Sequence, residues 1–286
     1  LDRAVAGTLL KFGLSISGGD ILTTIIDNMD YVIIGRLFGL EQLTIYTLAY
    51  RLPEMLLISN LWVVGGVAYP AFASIQDQPA ELRRGFLAAV RLIELIAVPV
   101  SLGLFIAADP IVRVLFGDQW LAAIPVLRVL AVYAWVYSIG YHIGDVYKAI
   151  GRPDISFKLT ILTLAIITPA LYVGSFYGLI GIAWGHLTAV LVRRVVSLNL
   201  ATKYVDVTIA DILRELRPSL QAGLAMVMTT VPVLYLTGNL NPFIRLLAIV
   251  LCGAVTYLGM LWWTEKESLL RMLKMVGMSS DKAAVS

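Results

Sequence analysis

Apolar stretches of about 20 residues, separated by short charged or Gly/Pro-containing loops, recur about eight times along this chain, and that repetition restricts it to a helical membrane protein. The stretches run over roughly 10–35, 43–69, 86–107, 124–147, 157–176, 179–200, 220–236 and 243–263. Each is long enough to carry a helix across about 30 Å of hydrocarbon, whereas a globule in water could not cover so much apolar surface. Composition agrees: 59% of the 286 residues are hydrophobic and 14% charged, against about 25% charged in soluble domains. The net charge of +3 is small and dispersed, so no nucleic-acid footprint appears and no nucleic-acid partner is expected. A single cysteine, Cys252, excludes an internal disulfide and a multi-cysteine metal site. With only two histidines, both in apolar stretches, no metal site and no cofactor are expected.

Lysine and arginine placement orients the spans. Arg3 and Lys11 precede the first, Arg83, Arg84 and Arg91 lie between the second and third, and Lys148, Arg152 and Lys158 between the fourth and fifth. Arg193, Arg194, Lys203, Arg214 and Arg217 fall between the sixth and seventh, and Lys266, Arg271, Lys274 and Lys282 follow the eighth. Seventeen of the 22 basic residues thus sit on one alternating side, which the positive-inside rule makes the cytoplasm, with both chain ends. Arg36, Arg113 and Arg245 fall on the other side, and Arg51 and Arg128 within or near spans. Residues 207–217 (VTIADILRELR) place Ile209, Ile212, Leu213 and Leu216 on one stripe, the pattern of an interfacial helix. The tail at 269–276 has the same character. The chain opens on Leu1 with no charged-then-apolar leader, and is read as a fragment whose N-terminal part lies upstream.

Charges inside hydrocarbon are costly, so those that persist mark a cavity or a partner. Asp20, Asp27 and Asp30 fall at i, i+7 and i+10 of the first span, beside Thr23 and Thr24. One reading is a wet face where a carboxylate binds a proton or sodium ion. The other pairs Asp27 and Asp30 with Arg36 or Arg51 at the membrane surface. Arg51 and Glu54, three apart beside Pro53, either form a structural ion pair or leave a guanidinium in a cavity, where it suits phosphate. In the fourth span Tyr133, Tyr137, Tyr141, Asp145 and Lys148 follow at helical spacing. Such a stripe suits sugar rings, or else forms a packing seam and an interfacial aromatic belt. His142 and His186 read as hydrogen-bonded interhelical residues, and Arg91 with Glu94 as an ion pair. No nucleophile–base arrangement, phosphate-cradling glycine loop or metal-ligand spacing appears, so the chain is not expected to be an enzyme.

Several segments together resemble bacterial polysaccharide flippases, the polysaccharide transporter branch of the multidrug/oligosaccharidyl-lipid/polysaccharide exporter superfamily. They are Tyr46-Thr-Leu-Ala-Tyr-Arg-Leu-Pro-Glu, Tyr69-Pro-Ala-Phe-Ala-Ser-Ile, Leu115-Phe-Gly-Asp-Gln-Trp-Leu-Ala-Ala-Ile-Pro-Val-Leu-Arg, Ala149-Ile-Gly-Arg-Pro-Asp and Tyr177-Gly-Leu-Ile-Gly-Ile-Ala. The resemblance implies an all-α integral membrane fold of two six-helix lobes around a central cavity, with two further helices at the C-terminus. On that basis 1–203 forms the second lobe, 204–218 an interfacial connection, 219–264 the two extra helices and 265–286 a cytoplasmic tail. The family's polar cavity maps onto Asp27, Arg36, Arg51, Glu54 and Arg128, with Asp145 and Lys148 beside them, and the helical spacing of the fourth span adds Tyr137 and Tyr141 as candidate glycan contacts.

The implied activity is alternating-access export of undecaprenyl-diphosphate-linked oligosaccharide across the bacterial inner membrane for surface polysaccharide biosynthesis. Arginines would neutralise the diphosphate, and Asp20, Asp27 or Asp30 would couple an ion. Implied partners are the lipid-linked substrate, the bilayer, the missing N-terminal lobe and polysaccharide polymerase or export machinery. A multidrug or lipid II exporter of the same superfamily is the first rival, although Arg51 and Arg128 count against an apolar drug cavity. A membrane polymerase or glycosyltransferase is the second, and no loop is long enough for its catalytic domain.

Overall fold

In the computed structural model, which describes residues 3–283 and the side chains of residue 13 and of 17–266, the chain is helical and no strand occurs among the described residues. The helices are α1 (Arg3–Leu37), α2 (Gly39–Pro53), α3 (Ser59–Ser74), α4 (Pro79–Ile106), α5 (Ala108–Leu115) and α6 (Ala123–Ser138). They continue with α7 (Ile143–Ala149), α8 (Pro153–Ser175), α9 (Gly178–Tyr204), α10 (Ile209–Leu236) and α11 (Pro242–Ala283). Pro79 and Pro153 open α4 and α8, where a missing N–H is harmless and the fixed φ suits the first turn. Thr208 and Asp211 form a reciprocal capping box at the start of α10.

Among the described residues, seven segments are long and apolar enough to cross a membrane: 39–74, 79–106, 123–149, 153–175, 178–204, 209–236 and 242–266. The eighth expected span is the 35-residue α1, long enough but carrying Asp20, Asp27, Asp30 and Arg36 among its described residues 17–37. Outward-facing Leu191, Val195, Leu224, Met228, Leu251, Val255 and Trp263 are exposed, an apolar surface that only lipid tolerates.

The bundle is organised around α6, which packs against α2, α4 and α9. Its Ala123, Val126, Leu127, Leu130, Ala131 and Ala134 are buried. Hairpin α8–α9 is drawn close by Gly174, Gly181 and Gly185; a Cβ on Gly185 would stand 2.8 Å from the Ala170 carbonyl oxygen. Hairpin α10–α11 lies on α4. Ion pairs fasten it at both ends: Arg83 to Asp211 (2.9 Å) and Arg91 to Glu215 (3.5 Å) and Glu265 at one, Arg245 to Asp109 (2.7 Å) at the other.

Several sequence expectations change. The fourth span is not one helix: α6 stops at Ser138, Gly140 turns the chain at φ +60, and α7 resumes at Ile143. The second is interrupted as well, since Pro53 lacks the N–H that would continue the ladder and the backbone widens into a π-helical turn, Glu54–Ile58. Arg193 and Arg194 lie inside α9, within a span rather than in a loop. Arg91 and Glu94 do not pair; Glu94 instead accepts from Trp135 Nε1 (3.0 Å) and Ser138 Oγ (2.9 Å). The amphipathic segment of 207–217 runs unbroken into the following span as part of α10. In α11 the backbone kinks at Glu265 (φ −142, ψ 35). The side chains of Arg3 and Lys11 and of the tail at 269–276 lie outside the described residues.

Candidate functional site

Two adjoining cavities in the bundle share one carboxylate, the exposed Asp27, in their linings. The inner one, about 80 Å³, lies among α1, α6, α7, α8 and α9. Its polar wall includes Thr23, Asp27, Tyr133, Tyr137, Tyr141, Ser156, Thr163, His186, Arg193 and Arg194. The second, about 210 Å³, opens among α1, α2, the π-helical turn, α3 and α6, lined by Asn28, Tyr31, Tyr50, Glu54, Ser59 and Trp62. Asp27, Tyr133 and Tyr137 border both. Even the inner cavity has room for several waters, which need about 10–15 Å³ each and polar partners.

Tyrosines join these walls into one aromatic ladder. Tyr31 and Tyr46 meet edge-on at 6.0 Å between centroids, Tyr50 reaches Tyr133 at 6.2 Å, and Tyr133 leads to Tyr137 at 5.8 Å. Tyr137 then meets Tyr141 at 5.3 Å. Such a wall presents apolar ring faces and hydroxyl edges together, the pairing that sugar rings match.

The interruption of α6–α7 shapes the inner cavity. Ending a helix inside a membrane leaves carbonyls without donors. The buried Arg194 of α9 answers them, donating from Nη1 to Gly140 O (3.0 Å) and from Nη2 to Tyr137 O. A cation at a helix C-terminus is also favoured by the helix dipole. The break allows Tyr141, beyond the end of α6, to line the same cavity as Tyr133 and Tyr137.

The other residues singled out from the sequence are dispersed around this site. Asp20 is exposed and borders neither cavity. Asp27 borders both, and Glu54 the outer one. Asp30 is 1% exposed, its Oδ2 3.4 Å from His186 Nε2, so a buried carboxylate of α1 faces an imidazole of α9. Neither Arg36 nor Arg51 pairs with these aspartates among the described residues, and Arg51 forms no ion pair with Glu54. Arg36 and Arg51 are exposed, Arg128 is half-buried, and all three stand outside both cavity linings. Asp145 leaves the tyrosine stripe at the helix break and binds His142 Nδ1 (2.8 Å), with Lys148 Nζ 3.7 Å away. Among the described residues no three His, Cys, Asp or Glu side chains gather where one metal ion could be held.

Sequence reasoning missed Arg193, Arg194 and Glu94 as members of this region. The Arg-Arg pair stands inside the apolar run of 179–200, and counting it with the loop charges hid that signal. A further groove of about 620 Å³ between α4, α10 and α11 is lined almost wholly by apolar side chains, among them Leu95, Val100, Leu104, Met226, Val250 and Leu258.

Comparisons with known proteins match this architecture. Residues 1–125 match the family described as "Polysaccharide biosynthesis protein". The chain is 30% identical over 189 residues to the lipopolysaccharide biosynthesis protein WzxC of Escherichia coli K12, covering 66% of this chain and 38% of that one. It is 25% identical over 292 residues to the succinoglycan biosynthesis transport protein ExoT of Rhizobium meliloti, covering 99% and 58%. It therefore spans only part, from about a third to somewhat over half, of the length of these relatives. The fold is that of the lipid II flippase MurJ in an inward closed conformation, with a TM-score of 0.69 at 19% identity over 88% of this chain and 53% of that one. Sequence and fold agree: the chain is similar in sequence to bacterial polysaccharide biosynthesis proteins and in fold to the lipid II flippase MurJ, and among its described residues seven helical segments are long and apolar enough to cross a membrane.

Proposed function

We propose that this chain is the second lobe of an exporter that moves undecaprenyl-diphosphate-linked oligosaccharide across the bacterial cytoplasmic membrane by alternating access. The observation that carries the reading is the tyrosine-walled, charged cavity pair inside a bundle of membrane-length helices, centred on Asp27. A hydrated passage with ring faces, hydroxyls and an internal arginine suits glycan and phosphate, whereas a drug pump requires a more apolar wall. Residues 1–203 form the lobe, the amphipathic stretch within 204–218 leads into α10 as its cytoplasmic first turns, α10 and the part of α11 up to 264 are the two added helices, and 265–286 is a tail, with both ends in the cytoplasm. The prenyl chain stays in lipid, and the apolar groove of α4, α10 and α11 is the surface that matches it. Asp27, which borders both cavities, and Asp30, buried behind the cavity-lining His186, are the carboxylates through which a proton or sodium ion would be coupled.

The test is deletion of the gene in its host. The expected result is loss of surface glycan with lipid-linked repeat units accumulating on the cytoplasmic leaflet, reversed by the wild-type gene. Asp27→Asn fails to restore export, while Asp20→Asn, outside both cavities, restores it. Unchanged glycan after deletion would sink the proposal. Lipid II is the second reading, favoured by the MurJ fold. Rescue of a strain lacking its lipid II flippase, with surface glycan intact in the deletion, would establish it instead.

A further inference from the structure

Glu94 is the sixteenth residue of the 28-residue α4, roughly 22 Å along a helix of membrane length, and it is fully buried. It lines neither polar cavity, and among the described residues it makes no ion pair. Its polar contacts are two side chains of α6: Trp135 Nε1 lies 3.0 Å from Oε2, and Ser138 Oγ lies 2.9 Å from Oε1. The same Ser138 Oγ lies 2.7 Å from the carbonyl oxygen of Trp135. Three short polar contacts therefore meet in the last turn of α6, just before the break at Gly140.

Three contacts need three protons. The indole supplies one and the serine hydroxyl one, while a carboxylate only accepts. With Glu94 ionised, the Ser138 hydroxyl turns either to Oε1 or to Trp135 O, and the other contact sets lone pairs face to face. With Glu94 as the neutral acid all three close: Trp135 Nε1–H donates to Oε2, Oε1–H donates to Ser138 Oγ, and Ser138 Oγ–H donates to Trp135 O. The charged and titratable groups around Glu94 are committed elsewhere. Arg194 of α9, whose charge reaches Glu94, donates to the carbonyls of Tyr137 and Gly140, and Tyr257 of α11 donates to Leu95 O (3.0 Å). Arg91, one turn earlier on α4, is held by Glu215 of α10 and Glu265 of α11.

We propose that Glu94 is a proton-binding site outside the polar cavities, and that its proton latches the end of α6 at the break. When the proton passes to bulk water, the Ser138 hydroxyl turns to the carboxylate, because a charged acceptor outcompetes a neutral carbonyl. Trp135 O is then left open in the last turn of α6. That turn leads directly into Tyr137 and Tyr141 on the wall of the inner cavity. The latch thus acts on the wall from α4, an element that does not itself line the cavity. Neither the proton nor the latch depends on the substrate proposed above.

The test compares infrared spectra of the purified, detergent-solubilised wild type and Glu94→Gln at neutral pH, and their thermal midpoints across pH. Glutamine reproduces the neutral acid, accepting from Trp135 with its carbonyl and donating to Ser138 with its amide. The variant is expected to lose a protonated-carboxyl carbonyl band that the wild type shows. Stability supplied by a bound proton is lost as pH rises. Between neutral and alkaline pH the wild-type midpoint should therefore drop by about 2–4 °C relative to Glu94→Gln, the effect of one carbonyl left without its donor. Ser138→Ala keeps the acid and removes the acceptor of its proton, so the band should persist at a shifted frequency; this covers the event that the glutamine variant does not fold. A difference spectrum in which Glu94→Gln removes an ionised carboxylate band, or an acid band that neither substitution touches, overturns the proton site. An acid band without pH-dependent divergence of the two midpoints overturns the latch.

Discussion

Arg194→Met is the most direct probe of how the broken span is held. Arg194 is 9% exposed and donates to Gly140 O, which also accepts from Ile143 N (3.1 Å), and to Tyr137 O, the carbonyl at the end of α6 that depends on it. Each buried carbonyl deprived of its donor costs about 1–3 kcal/mol. Two effects work the other way. Removing a buried cation relieves its own desolvation, and interhelical hydrogen bonds measured in a membrane bundle average nearer 0.6 kcal/mol. With one carbonyl stranded, a net loss of about 1.5–3 kcal/mol follows, which at about 2–4 °C per kcal/mol lowers the unfolding midpoint by about 3–12 °C. Arg194→Lys keeps the charge but offers one ammonium in place of a two-pronged fork, and should lose about half as much. Thermal unfolding of the purified protein in a single detergent, followed by size-exclusion of the surviving fraction, measures both. If the methionine variant melts within about 2 °C of wild type, the carbonyls have another source of donors and the account of the break is wrong.

Two further predictions concern the same region. Gly140→Ala must adopt φ +60 and place its Cβ 3.0 Å from Leu198 Cδ2, whereas Gly151→Ala at φ +74 meets nothing within 4 Å. Left-handed strain of about 1–2 kcal/mol applies to both, so the first should melt clearly lower than the second, and equal midpoints would remove the steric part of the argument. Glu94→Leu strands the Trp135 indole N–H, while Ser138 Oγ keeps its bond to Trp135 O at 2.7 Å. The expected cost is about 1–3 kcal/mol with an altered tryptophan emission, and Glu94→Gln, which retains one acceptor, should stay near wild type in both readouts.

Most of the helical plan could be read from residue order alone, because a membrane span is a local property: about 20 apolar residues in a row satisfy both the backbone and the lipid without reference to any neighbour. The same locality exposed Asp27, Tyr137 and Tyr141 as polar residues where hydrocarbon should be, and these border the cavity. In the first span the described residues 17–37 of α1 carry Asp20, Asp27, Asp30 and Arg36, and that stretch is not among the seven apolar segments.

What required the tertiary structure was partnership across the bundle. Spacing set Arg91 beside Glu94 and Arg51 beside Glu54, but the first arginine went to Glu215 and Glu265 and the second pairs with neither Glu54 nor an aspartate of α1. Likewise Asp30 found His186, more than 150 residues away in the chain. A break at Gly140 needs a buried donor from another helix to survive, and nothing in the run of residues around it announces Arg194 as that donor. Insertion into lipid is decided helix by helix, whereas the charges left inside are answered only by whichever helices close packing at the α8–α9 glycines and around α6 brings alongside.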